Sequence, residues 1–347
     1  MSSLPKLKFA AIGLDHRHIY DQVTSLLDIG AECVGFWSRD EAMPLQGFME
    51  KFPHIPRVKE RAQLLEDESI RLITCAAIPS ERADLAIEAM RHGKDFMVDK
   101  PGLTTFGQLE AVRKVQKETG RIFSIDFTER FEVRSTTRAG ELVKAGAIGQ
   151  VVHTAGLGPH RLNRHLRPQW FFDKQAYGGI LVDIGSHQFD QFLYFTDSSD
   201  ARITAARVAN RAHPADTGLE DLGEVMIESD NASGYFRVDW FTPDGLNTWG
   251  DGRLTIVGTE GTIELRKYVD VAGRPGIDHL FLTDKKSSRY IDCSDAELTY
   301  YPRLRDDIFN RTETAMTHDH CFKVCELSLT AQAMGWEQQA RSLQARK

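Results

Sequence analysis

The sequence predicts an α/β chain: an N-terminal doubly wound parallel sheet, followed by an α+β domain with a large, open, mostly antiparallel sheet. Three observations predict it. Apolar runs of strand length alternate with helical patterns from Lys8 to Phe127. Beyond about Phe131 the alternation stops, and from Arg202 onward strand-like runs are separated by turn residues. At 347 residues the chain exceeds one ordinary core, so two domains, 1–127 and 128–347, are expected.

Lys8 to Gly13 reads as a strand ending at a glycine. His16 to Leu27 then carries Ile19, Val23, Leu26 and Leu27 at helical spacing, and Gly30 stops it. Glu32 to Trp37 completes a βαβ unit. Asp40 to Phe52 is predicted as a helix with Pro44 near its start, and Ile70 to Ala77 as a strand. A helix follows through Leu85, Ala86, Ala89 and Met90.

The stretch Phe96-Met97-Val98-Asp99-Lys100-Pro101-Gly102 is an apolar run that ends in a charged pair and is stopped by Pro-Gly. It reads as a buried parallel strand, and ligands of open parallel sheets bind beyond the carboxyl ends of the strands. Lys100 is therefore placed at the lip of a crevice, where partial desolvation suits a lysine to proton transfer. A solvated strand end is the plain alternative. A helix through Leu109, Val112 and Val115 and a strand Ile122 to Phe127 complete the first domain.

In the second domain, Ala139 to Ala145 reads as a helix and Gly149 to Ala155 begins a strand. The later strands are Glu224 to Glu228, Gly234 to Phe241, Arg253 to Val257, Thr262 to Arg266 and His279 to Leu282. A final helix, from about Thr314 to Met334, is expected to pack back toward the N-terminal domain.

Apolar residues make up 41% and charged residues 27%, the balance of a globular protein. A net charge of -7 with no basic stripe argues against nucleic acid as a partner. No apolar run is long enough for a bilayer, and none of signal-peptide length lies near Met1, so no membrane association and a cytoplasmic location are expected. Cys33 and Cys75 fall in strands and read as buried thiols. Cys321 and Cys325 follow His318 and His320, but no second ligand pair stands at zinc spacing, so no metal site is expected.

The first strand–helix turn is where a dinucleotide fingerprint belongs. Gly13 supplies the first glycine, but Asp15 and His18 hold the second and third positions. Asp15 is electrostatically wrong beside pyrophosphate unless its side chain turns away, as it would by capping the helix that starts at His16. His16, Arg17 and His18 offer compensating positive charge. A turn that no longer binds a dinucleotide is the alternative. At the end of the second strand, Ser38 and Arg39 suit a 2′-phosphate better than a free ribose, which slightly favours NADP(H) over NAD(H); a Ser38 helix cap beside a solvated Arg39 is the alternative.

The stretch from Gly178 to Asp190 reads as a largely buried helix that places Asp183, His187 and Asp190 on one polar stripe. A carboxylate beside a buried histidine raises its basicity and fixes its orientation, as acid–base chemistry needs. A structural His–Asp pair is the competing reading. His160, Arg161 and Trp170 lie between a strand and that helix and are candidate substrate contacts, as is Arg130 after the last parallel strand; packing or a surface ion pair is the leading alternative for each.

Together these residues resemble the Gfo/Idh/MocA oxidoreductase family (glucose-fructose oxidoreductase, inositol dehydrogenase and relatives). The resemblance rests on Ala10-Ala11-Ile12-Gly13, Ala86 to Lys94, Asp99-Lys100-Pro101, Asp183-Ile184-Gly185-Ser186-His187 and Gly258 to Thr262. It implies an N-terminal Rossmann domain, a C-terminal domain whose open sheet often buries a dimer interface, and a cis Lys100-Pro101 bond. A homodimer or homotetramer through the C-terminal sheet follows as the expected assembly. Lys100, Asp183 and His187 match the family's catalytic set. His187 would take the proton of a sugar or polyol hydroxyl, Lys100 would hold the same oxygen, and Asp183 would orient His187. The implied substrate residues are Lys100, Arg130, His160, Arg161, Trp170, Asp183 and His187. The implied cofactor residues are Gly13, Leu14, Asp15, His16, Ser38, Arg39, Ala77, Ile78, Pro79, Asp99 and Lys100.

Three departures fall on the cofactor side. The glycine fingerprint is degraded, Asp99 replaces a glutamate, and the family's Pro-Asn-x-x-His stands here as Pro79-Ser80-Glu81-Arg82-Ala83. The expected function is an NAD(P)-dependent oxidoreductase moving hydride between nicotinamide and a sugar, inositol or related polyhydroxy substrate. The rivals are a non-catalytic ligand sensor on the same fold and an NAD-dependent glycoside-cleaving enzyme.

Overall fold

The computed structural model describes residues 5–344, which form two compact units. The first comprises residues up to Asp126 together with Gln175–Gly178 and Thr299–Phe322. The second comprises Phe127–Lys174, Gly179–Leu298 and the chain from Lys323 onward.

Five parallel strands build the first unit: β1 (Lys8–Ile12), β2 (Glu32–Trp37), β3 (Leu72–Cys75), β4 (Asp95–Asp99) and β5 (Phe123–Asp126), in the order β2-β1-β3-β4-β5. The helices between them are α1 (Ile19–Asp28), α2 (Leu45–Lys51), α3 (Ala62–Leu65), α4 (Arg82–Arg91) and α5 (Phe106–Thr119). The strand order reverses beside β1, which puts the topological switch point at the β1–α1 turn. Strands β3, β4 and β5 are buried at every position, because a parallel sheet is covered on both faces. Burial also pushes the Cys33 and Cys75 thiols up to about 12.

Helix α2 starts after Pro44 rather than at Asp40, since proline fits only the first turn. The helix Tyr300–Asn310, which the sequence reading passed over, staples itself to this sheet. Tyr301 donates to Asp126 at 2.7 Å, the Tyr300 and Ser124 hydroxyls meet at 2.7 Å, and Arg311 clamps Asp95 with bonds of 2.7 and 2.6 Å.

In the second unit, α6 (Thr128–Phe131) and α7 (Arg134–Lys144) precede strand β6 (Val151–Pro159). Helices α8 (Lys174–Tyr177), α9 (Ile180–Asp183) and α10 (Gly185–Thr196) follow, with residues 175–177 of α8 grouped with the first unit. The remaining strands are β7 (Arg202–Ala209), β8 (Leu222–Glu228), β9 (Ser233–Asp239), β10 (Arg253–Gly258), β11 (Gly261–Arg266), β12 (His279–Asp284) and β13 (Ser288–Ile291). They form one eight-stranded sheet, β13-β12-β11-β10-β6-β9-β8-β7, antiparallel except for the parallel β6–β9 pair.

Helix α10 packs on one face, with Phe189 edge-on to Phe236 at 4.8 Å. Gly156 on β6 makes room for it, because a Cβ there would lie 2.1 Å from Gln188 Oε1. The core beneath α7 is formed by Ile148, Leu254, Ile256, Ile263, Leu265, Leu280 and Leu282. The closing helix runs His318–Gln344. Among the described residues no helix is long and apolar enough to cross a membrane.

Candidate active site

At the end of β1, Gly13 takes φ +82°, and a Cβ there would lie 2.6 Å from that of Ala77. Only glycine fits a turn passing this close to the end of β3. The His16 amide donates to Ala76 O at 2.8 Å, so α1 does not begin until Ile19. Asp15 therefore does not cap α1. Its buried carboxylate turns instead to Arg39 Nε at 3.1 Å and accepts the Ile78 amide. Burial pushes its pKa up to about 6, against the pull of Arg39, which also pairs with Glu81. Leu14 is wholly buried, and Pro79 opens a short 3-10 turn, Pro79–Glu81.

Asp99, at the carboxyl end of β4, is 1% exposed and collects three partners. His18 Nδ1 lies 2.7 Å from Oδ1, His16 Nδ1 3.4 Å from Oδ2, and Arg82 Nη2 3.0 Å from Oδ2. Burial opposes ionisation, yet His18 and Arg82 outweigh it and hold the carboxyl well below the usual range. His16 is driven the other way: burial and the neighbouring His18 keep it neutral far below the ordinary histidine value. His16, His18 and Asp99 stand close enough to share a cation, but the guanidinium already on Asp99 opposes one.

Arg82, equally buried, also donates to Ala77 O, Asp99 O and Pro101 O, each at 2.7 Å. One guanidinium thus joins the ends of β3 and β4 and brackets Lys100, which is 6% exposed and cis to Pro101. The cis bond is the one the family resemblance implied.

Beyond β2, a cavity of about 410 Å³ is lined by Trp37, Ser38, Arg39, Asp40, Arg57, Val58 and Lys59. Arg57 donates to Ser38 O at 2.7 Å and to Asp40 at 2.6 Å. Arg57 and Lys59 were not anticipated from sequence. They reach the cavity because the chain runs back beside β2, in a bridge between Phe36 and Arg57.

In the second unit, the expected single helix is divided between α9 and α10. The Ser186 hydroxyl donates to Asp183 O at 2.9 Å, and the His187 amide turns to Ile184 O at 3.2 Å. A side chain competing for a backbone acceptor breaks the ladder there. His187 is 2% exposed, its ring edge-on to Phe127 at 6.3 Å.

Beside it lies a polar network that the sequence reading missed. Lys267 Nζ is 2.6 Å from both Glu129 Oε2 and Gln191 Oε1. Gln188 and Gln191 each donate to the same Glu129 oxygen at 3.2 Å. Burial raises the Glu129 pKa, but Lys267, His187 and His160 together bring it down to about 2.

His160 is packed by Trp240 at 5.5 Å and Trp249 at 4.6 Å, and Trp249 stands on Tyr268 at 4.4 Å. Arg130 is clamped to Asp190 by two 2.7 Å bonds, and Arg161 donates to the carbonyls of Pro243 and Leu246. Both arginines hold neighbouring segments together. Trp170 lies in a short 3-10 turn, with Phe171 at 6.0 Å.

Two family models cover most of the chain: an oxidoreductase family with an NAD-binding Rossmann fold over residues 7–127, and a GFO/IDH/MocA C-terminal domain over 136–264. The chain belongs to the Gfo/Idh/MocA oxidoreductase family. Its degraded glycine fingerprint and its Asp99-Lys100-Pro101 variant are thus departures within the family. An oxidoreductase from Erwinia carotovora atroseptica superposes with a TM-score of 0.92 at 48% identity, over 95% of this chain and 98% of that one. The scyllo-inositol 2-dehydrogenase (NAD(+)) of Bacillus subtilis is 27% identical over 74% of this chain and 73% of its own. A levoglucosan dehydrogenase bound to NADH and levoglucosan shares the fold, with a TM-score of 0.78 over 96% and 98% of the two chains, at 15% identity. The fold and family are those anticipated from sequence, and the cofactor is a nicotinamide dinucleotide.

Proposed function

We propose that this oxidoreductase moves hydride between NADP(H) and a sugar, inositol or related polyhydroxy compound, with Lys100, Asp183 and His187 as its catalytic set. One observation carries the reading: Lys100 is buried and bracketed at the end of β4, while His187 is buried on α10 with Asp183 one turn earlier. His187 takes the proton of the substrate hydroxyl, and Asp183 orients it. The Lys100 charge steadies the alkoxide that develops on the same oxygen. When bound, the nicotinamide supplies the redox chemistry, taking or giving the hydrogen of the C–H bond with its electron pair.

Two features support a polyhydroxy substrate. His160, Trp240, Trp249 and Tyr268 form an aromatic wall in the unit that carries the Glu129–Lys267 network, and a sugar or inositol offers both C–H faces and hydroxyls to such a pairing. The similar Bacillus subtilis protein is named for scyllo-inositol.

The residues fit a dinucleotide. Gly13 keeps the β1–α1 turn tight against Ala77 at the switch point, Asp15 is turned to Arg39, and the cavity beyond β2 is lined by Ser38, Arg39, Asp40, Arg57 and Lys59. Three cations against the one carboxylate of Asp40 leave that cavity net positive, which supports a 2′-phosphate and hence NADP(H).

A homodimer or homotetramer through the C-terminal sheet is supported by the face opposite α10. Met226, paired with Tyr235, and Tyr290, paired with Phe281, are 54% and 40% exposed there.

The test is turnover on a panel of inositols and aldoses with NADP+ and NAD+. Turnover that is lost in Lys100→Ala supports the mechanism, and turnover unchanged in that variant contradicts it.

A further inference from the structure

Glu129 carries an imbalance that packing alone does not explain. Its Oε2 accepts from Lys267, Gln188 and Gln191, while its Oε1 is buried with no hydrogen bond among the described residues. A buried carboxylate oxygen left without a donor is costly, and in native proteins each such atom calls for an explanation, a catalytic role among them. Two of the three donors come from α10, and Gln188 directly follows His187. The His187 ring meets Phe127, two residues before Glu129.

From this geometry we infer that Glu129 is a positioning residue for proton transfer: its Oε1 is the acceptor that steadies His187 once that ring has taken the substrate's proton. The inference rests on the dehydrogenase reading and deepens it. The proton leaves the substrate O–H for the imidazole, and Glu129 remains a carboxylate throughout. Lys267 serves this role by keeping Glu129 ionised, and the two glutamine amides fix which oxygen stays open.

The charges around His187 fall into place on this reading. Asp183 stands one turn earlier at the end of α9, and Asp190 of α10 is neutralised by Arg130 of α6. Lys267 is spent on Oε2, and His160 and His187 both interact electrostatically with Glu129. Glu129 is therefore the carboxylate that α6 offers to His187.

The test is an NMR titration of His187 in protein with labelled histidine, free of substrate, for the wild type, Glu129→Gln and Glu129→Asp. His187 and Glu129 already interact electrostatically, and an opposite charge within about 4–6 Å is worth about one to three pH units. Glu129→Gln is expected to lower the His187 midpoint by at least one unit and to move the acid limb of the kcat profile with it. Glu129→Asp, which keeps the charge, should retain most of the wild-type value. Equal midpoints in wild type and Glu129→Gln would overturn the inference, as would equal losses in the two variants. If neither variant folds, the wild type decides: His187 must gain its proton while Glu129 is still ionised, and a ring that stays neutral until Glu129 protonates overturns it. The titration needs no turnover, so a failure of the dehydrogenase reading shows separately, as wild-type protein inactive on every polyol.

Discussion

Arg82 and Asp99 form an ion pair in which both side chains are 1% exposed, with Nη2 3.0 Å from Oδ2. The same guanidinium holds the carbonyls on either side of Lys100, so one buried charge fixes the backbone of the proposed catalytic lysine. Removing one member of a buried pair leaves the other uncompensated, at a cost of about 3–5 kcal/mol. Arg82→Leu should lose about that much, read as a lower urea midpoint with an unchanged slope. A midpoint equal to wild type would show that the pair is dispensable.

Asp15 makes the opposite contribution. Its pKa is raised to about 6 by burial, so the folded state holds a proton that the unfolded chain releases near 3.8. Stability therefore falls as pH rises from about 3.8 through 6 and stays lower above. Asp15→Asn should stabilise the protein at pH 7 by up to about 3 kcal/mol and give no gain well below pH 4. Thermal unfolding at the two pH values checks this, and equal effects at both would refute the assignment.

The cationic cavity beyond β2 predicts a cofactor selectivity that two substitutions can erase. A hydrogen bond to a charged group contributes about 1.5–3 kcal/mol, so Arg57→Ala and Lys59→Ala should each weaken NADPH about tenfold or more. NADH binding should hardly change. Calorimetric titration of both cofactors reads the difference, and parallel losses for both would mean the cavity does not meet a 2′-phosphate.

The exposed face of the eight-stranded sheet predicts self-association. Met226→Arg places a charge in the proposed self-complementary interface and should shift the protein toward monomer in size-exclusion chromatography with light scattering. A wild type that is monomeric at micromolar concentration would remove the proposal.

Much of this molecule was legible because its information is local. The parallel sheet announced itself through regular alternation, and Lys100 through the stop after Val98. Two elements carried weak signals. Strand β13 reads Ser-Arg-Tyr-Ile, is mostly exposed and has little apolar alternation. The helix Tyr300–Asn310 contains Pro302 in its first turn and has no side-chain cap. The break between α9 and α10 depends on which acceptor the Ser186 hydroxyl takes, which periodicity does not record.

The candidate site was legible only by half. Lys267 and Glu129 lie 138 residues apart, and neither belongs to a spaced motif, so their pairing emerges only when β11 ends beside α6 and α10. A lysine just past an otherwise regular apolar strand was the one available sign. Asp15 was misplaced for a related reason: its true partner, Arg39, stands on the neighbouring strand's end rather than on its own helix.

The most direct test of the central claim follows deuterium from the reacting carbon of a labelled inositol or aldose to the nicotinamide. The wild type should transfer the label to NADP+, with Lys100→Ala and His187→Asn slower by about 10²–10⁴-fold. Label transfer at an unchanged rate in both variants, or none from any polyol to either cofactor in the wild type, would contradict it.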